Sequence, residues 1–151
     1  VKGVVEETKP DLVIVVDALA ARSVRRLGTT IQLTDTGIQP GSGVGNHRHE
    51  MTRESLGVPV FAIGVPTVVG AAAIVHDTVE TMVETLARSQ DTKSYGAYIG
   101  NLNPDEQYEL IRELLEPEFG PMYVTPQDID ETVEMLGFTI SEALHQVVYR
   151  G

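Results

Sequence analysis

The spacing of apolar residues changes period several times along the chain, and each change predicts an element. Val1 to Thr8 repeats its apolar positions at helical intervals with no N-cap ahead of them, as the last turns of a helix would. Lys9-Pro10-Asp11 ends that helix. Leu12-Val13-Ile14-Val15-Val16 is an unbroken, mostly β-branched run, the pattern of a strand covered on both faces in a parallel sheet. Asp17 is expected at its C-terminal end, followed by a short helical turn over Ala18–Arg26. Thr29–Thr34 alternates as a half-buried strand, and Val58–Ile63 forms a third strand that Gly64-Val65-Pro66 breaks.

From there the period becomes helical. Val75, Val79, Met82, Val83 and Leu86 recur every three or four residues and predict an amphipathic helix over Ala71–Arg88. Ser89–Asn103 reads as a loop. Asn103-Pro104-Asp105-Glu106 combines an N-cap, a first-position proline and first-turn acids, which starts a helix running to about Glu116. Thr125-Pro126-Gln127-Asp128 repeats the device for a helix through Met135, and Ser141–Tyr149 forms a last one. The expected fold is α/β, a three-layer arrangement with a mainly parallel sheet flanked by helices and a helical C-terminal third. A length of 151 residues makes one domain the default.

Composition narrows the function classes. The net charge of −11 disfavours nonspecific binding to nucleic acid or an anionic membrane, since both need a positive field. The absence of cysteine removes disulfides, thiolate metal sites and a cysteine nucleophile. The longest apolar stretch, 58–75, is interrupted by Pro59, Gly64, Pro66 and Gly70, and no signal-peptide pattern opens the chain. The expectation is therefore a soluble, cytoplasmic protein without a targeting segment, cofactor or metal.

Candidate chemistry lies in Thr34–Arg48, reading TDTGIQPGSGVGNHR. Asp35-Thr36-Gly37 matches the triplet of pepsin-like proteases, but those folds are almost wholly β and no second such triplet is present. An Asx-type turn from Asp35 to the N–H of Gly37 or Ile38 is the plainer reading. The glycines fit neither a Walker loop nor a dinucleotide fingerprint, because no Gly-Lys-Ser/Thr follows and they do not open a helix. A close-packed loop whose N–H groups approach a ligand remains open. His47, His49 and Glu50 have zinc-compatible spacing, yet their polar neighbours favour a solvated loop. His76-Asp77 reads as a helix surface pair. Asp17, after five aliphatics, is expected to be partly desolvated and suited to hold a proton or activate water, with a helix N-cap as the competing role.

The strings Lys9-Pro10-Asp11-Leu12-Val13-Ile14, Asp17-Ala18-Leu19-Ala20-Ala21-Arg22-Ser23 and Asp35-Thr36-Gly37-Ile38 resemble the germination protease family of spore-forming bacteria. So do Pro40-Gly41-Ser42-Gly43-Val44-Gly45-Asn46, Ala62-Ile63-Gly64-Val65-Pro66-Thr67-Val68-Val69 and Val124-Thr125-Pro126. The resemblance implies an endopeptidase that degrades small acid-soluble spore proteins at germination. It further implies a zymogen, a tetramer, a spore-core location and a fold similar to hydrogenase-maturation peptidases. The family is an atypical aspartic type with two distant essential aspartates. The one in its V-D-A-L-A-A-R motif falls on Asp17, and the other belongs to an upstream motif that this chain does not contain. The chain thus reads as the C-terminal portion of a longer protease, holding one of its two catalytic aspartates and inactive alone.

Asp35 is the reserve catalytic candidate, and Gly41, Gly43, Gly45 and Asn46 are candidates for holding substrate backbone or an oxyanion. Gly70 stands where the family usually has an Asp, so no role of that Asp carries over. Two other classes are a metal-assisted hydrolase using Asp17 with His47 or His49, and a noncatalytic oligomerisation domain.

Overall fold

The computed structural model describes residues 1–41, 49–88, 90–92, 94, 96–97 and 100–150. Helix α1 (Lys2–Thr8) ends at Lys9, whose left-handed backbone (φ 46°) returns its N–H to the Val5 carbonyl before Pro10 stops the helix. Strand β1 (Val13–Ala21) and strand β3 (Val60–Gly70) form the long parallel pair, in register from Val13 opposite Val60 to Leu19 opposite Pro66. Strand β2 (Gln32–Thr34) lies on the other side of β3 and runs antiparallel to it, as does the two-residue β4 (Tyr123–Val124) beside Val69 and Gly70. Among the described residues between β2 and β3 lies one short helix, α2 (Arg53–Leu56). Helices α3 (Ala71–Arg88), α4 (Pro104–Phe119) and α5 (Ile129–Arg150) complete the α/β fold.

The sheet is mixed rather than mainly parallel. A parallel return needs a crossover of about a dozen residues or more. Residues 22–31 hold only a 3-10 turn at Val24–Arg26, so the chain reverses instead. Other local expectations fail with it. Residues 18–21 continue β1 rather than coiling, which puts Asp17 in mid-strand opposite Gly64 instead of at the strand's end. Strand β3 runs straight through Gly64-Val65-Pro66. Gly64 survives there because Leu19 fills the place of its missing side chain: an added Cβ would meet Leu19 Cδ1 at 2.3 Å. At Pro66, which has no N–H to give, the ladder shifts register between Leu19 and Ala20, and Thr67 turns its carbonyl to the Thr125 hydroxyl at 3.1 Å. Thr125 is therefore a tie to β3 rather than a helix cap, and the two expected C-terminal helices are one, α5, continuous through Gly137. The strand expected from Thr29 shortens to Gln32–Thr34, with Ile31 and Leu33 exposed.

Two small cores hold these elements. Leu136, Ile140 and Leu144 recur every four residues along α5 and seat that helix on Phe61, Ile63 and Val65 of β3. Ala21, Val69 and Ala73 form the second core, closed by Leu27, Ile74 and Tyr108, and it joins the ends of β1 and β3 to α3 and α4. Val69 is 2% exposed. Val69→Ala is expected to cost about 2 kcal/mol, read as a lower urea midpoint at unchanged slope.

On the α5 side, Val16 and Leu33 flank Ile63 in register from the two neighbouring strands. They remain 54% and 62% exposed, so α5 covers β3 and leaves its neighbours bare. The outer edge of β1 carries no partner among the described residues. Ile14, on the same face of β1 as Val16, is exposed too, as are Phe138, Val147 and Val148 of α5.

Candidate functional site

Asp17 points away from α5. In a strand, alternate residues share a face, so Val13, Val15, Asp17 and Leu19 stand with Val60, Ala62, Gly64 and Pro66. Gln32 and Thr34 of β2 extend that face, being paired with Gly64 and Ala62. Asp17 therefore lies in a row whose next position is Gly64, over which the Leu19 side chain folds, with Gln32 beyond it. Its Oδ2 atom is buried and has no hydrogen-bond partner. A buried carboxylate oxygen without a donor costs stability. The competing N-cap role is excluded by position, because Asp17 lies four residues inside β1.

The turn that follows β2 is built differently from expectation. The Thr34 hydroxyl, not Asp35, accepts the Thr36 N–H at 3.1 Å and pairs with the Thr36 hydroxyl at 2.7 Å. The Ile38 N–H goes to the Met51 carbonyl at 3.0 Å, in a two-bond bridge between Ile38 and Met51. Asp35 is exposed and makes no Asx turn. Gly37 has φ 90°, and an added Cβ would come within 2.3 Å of the Met51 carbonyl oxygen and 2.8 Å of Thr52 Cα. Glycine is thus demanded here by close backbone approach. Gly41 has φ 76° behind the buried Pro40. Gly43, Gly45, Asn46 and His47 lie outside the described residues, and His49 is exposed.

A cleft of about 410 Å³ opens elsewhere, at the C-terminal ends of the parallel pair, between Arg22, the start of α3, and Tyr108 and Arg112 of α4. Ligands of α/β sheets often bind at that end. Asp17 does not line it. The bare carboxylate oxygen of Asp17 thus lies outside the cleft, whereas Arg112 inside it is paired with Glu109. Tyr123, also in the cleft, has its phenol pushed above its ordinary value by burial first, then by the neighbouring Tyr108 and Glu116. A raised phenol stabilises the fold below its ordinary titration and loses that contribution as pH rises through the folded value. Tyr123→Phe should accordingly remove the most alkaline step of an ultraviolet tyrosine titration.

His76 departs most from its sequence reading. It is not a surface residue but 8% exposed, edge-on to Tyr108 with ring centroids 6.0 Å apart, and its Nε2 has no partner. Asp77 beside it accepts from the Ser23 hydroxyl at 3.0 Å and the Val24 N–H at 2.7 Å, tying α3 to the 3-10 turn after β1. The signal that finds His76 is its spacing from Ala73, three residues back on the same helix face.

Residues 1–95 match the family described as germination protease. The chain is 49% identical over 151 residues to the germination protease of Caldanaerobacter subterraneus subsp. tengcongensis, covering 99% of this chain and 47% of that protein. It is 42% identical over 146 residues to that of Clostridium perfringens, covering 96% and 45%, and 39% identical over 183 aligned positions to that of Bacillus subtilis, covering 98% and 50%. The chain thus spans about half the length of the curated relatives it matches. With a family match over more than half its residues and relatives this similar along nearly all of it, the chain belongs to the germination protease family.

Proposed function

We propose that the complete protein is an endopeptidase that degrades small acid-soluble spore proteins during germination, with Asp17 as one of two catalytic carboxylates. The observation that carries the assignment is the buried, unpartnered Oδ2 of Asp17, in mid-strand opposite Gly64. In an aspartic mechanism two carboxyl groups share one proton and hold a water between them. The ionised group takes a proton from that water as it attacks the peptide carbonyl, and the protonated group hydrogen-bonds the carbonyl oxygen and then supplies the leaving nitrogen. Asp17 has no carboxylate hydrogen-bonded to it among the described residues, so the partner carboxylate comes from the remaining half of the protein.

Asp35 has a supporting role on this reading. It begins the loop whose glycines Gly41, Gly43 and Gly45, with Asn46, offer N–H groups to the substrate backbone or the oxyanion. The uncovered surface around Val16 and the outer edge of β1 support a larger sheet in the intact enzyme, three-layered and similar to hydrogenase-maturation peptidases. The intact enzyme is made as a zymogen, assembles as a tetramer and works in the spore core. The 151-residue chain alone is a noncatalytic half. The test is digestion of a purified small acid-soluble spore protein by the full-length protein: discrete fragments are expected, and an undigested substrate after activation of the zymogen contradicts the assignment.

A further inference from the structure

The cluster on α3 carries an inference independent of the peptidase reading. His76, Asp77 and Glu80 offer three ligand atoms that all lie within 4.8 Å of one another, with His76 buried and both carboxylates half-buried. Two carboxylates at this separation repel, and no lysine or arginine lies within salt-bridge distance of either among the described residues. The imidazole Nδ1 is 3.9 Å from Asp77 Oδ1, too far for a hydrogen bond. The other imidazole nitrogen, Nε2, is buried without a partner. A bound cation would offset the two carboxylates and take up one imidazole nitrogen.

We propose that His76, Asp77 and Glu80 form a binding site for a first-row divalent cation such as Zn²⁺. His76 and Glu80 are four apart on one helix and so lie one above the other on the same face, the spacing that lets a single helix supply two ligands. Asp77 is already oriented. Its Oδ2 is held by the Ser23 hydroxyl and the Val24 N–H, which leaves Oδ1 toward His76 as an anchored ligand oxygen. An imidazole among the ligands favours zinc, copper, iron or nickel over magnesium or calcium. Closing the three atoms onto one ion takes side-chain rotations of about 1 Å, because bonds near 2.1 Å bring ligand atoms roughly 3 to 3.5 Å apart. The three ligands leave coordination positions for water, and His76 borders the cleft through which the ion would enter. Since Asp77 also holds the turn after β1, the ion would clamp the end of the parallel pair to α3.

The test uses the metal-stripped full-length protein with its family activity set aside, and reads binding directly. Cobalt titration is expected to give a single visible band at one ion per chain. Zinc at a hundredfold excess over its dissociation constant should raise Tm by several degrees, since binding only to the folded state shifts unfolding by mass action. Glu80→Gln and His76→Gln should each weaken binding by at least about tenfold, a loss of the size seen when metal-site partners are removed. Glu84→Gln, one turn further along α3, should leave it unchanged, and so should the double variant His47→Asn/His49→Asn. Circular dichroism identifies a variant that fails to fold, and Glu80→Gln, at a half-buried position, keeps the comparison available if His76→Gln does. Absence of stoichiometric binding at millimolar metal overturns the site. So does binding that survives Glu80→Gln but is lost in the His47/His49 variant.

Discussion

Asp17→Asn in the full-length protein is expected to lower kcat/KM on a spore-protein substrate by about 10³-fold or more while leaving the fold intact. The amide is nearly isosteric with the carboxylate but cannot take a proton from water, and general acid–base groups contribute about 10² to 10⁴ in rate. Stability should move the other way or stay level. The Asp17 Oδ2 has no donor to lose, so neutralising it removes a buried charge without breaking a hydrogen bond. A residue placed there only for structure would lose stability and activity together. The opposed outcomes, silent but at least as resistant to urea, distinguish a catalytic group from a packing group. Asp35→Asn is expected to cost less than about tenfold, because Asp35 is exposed and the turn is held by Thr34.

Gly37→Ala is expected to destabilise the chain by about 3 kcal/mol, a large share of the 5 to 15 kcal/mol typical of a domain. Two costs add. A residue with a side chain is strained at φ 90°, and the new methyl meets backbone atoms of Met51 and Thr52 that cannot swing aside as a side-chain tip would. Relief requires opening the Ile38–Met51 bridge, which closes the base of the segment between β2 and α2. Gly57→Ala supplies the control. Its φ is 75°, but nothing lies within 4 Å of the added Cβ, so only the conformational part, about 1 kcal/mol, should appear. Urea denaturation of the two variants measures the difference, and equal losses would contradict the collision at Gly37.

What was readable in the sequence was the periodicity of uninterrupted segments. Helix α3 begins and ends where its apolar repeat does, and α4 starts on the predicted cap, with Asn103 Oδ1 accepting the Glu106 N–H at 2.9 Å. The failures fall where a residue's local preference was overridden by what it touches. Gly64 and Pro66 look like strand breakers, yet Leu19 fills the first and a register shift absorbs the second. Gly137 looks like a helix end, but the stripe Leu136, Ile140 and Leu144 continues across it because β3 lies beneath. Asp17 stood out by residue type and family motif, while its position in mid-strand depended on how far β1 extends. His76 was misplaced because a charged neighbour suggests a surface, whereas Tyr108, thirty-two residues away, encloses it.

The account rests on Asp17 being one of two carboxylates that act together, the second outside this chain. The most direct measurement is cleavage of one small acid-soluble spore protein by three samples at equal concentration: the intact activated protein, its Asp17→Asn variant and the isolated 151-residue chain. The account predicts discrete cleavage by the first and none above background by the other two, with all three folded by circular dichroism. Cleavage by the isolated chain at the intact protein's rate would contradict the two-carboxylate mechanism, and full activity in Asp17→Asn would remove Asp17 from the chemistry.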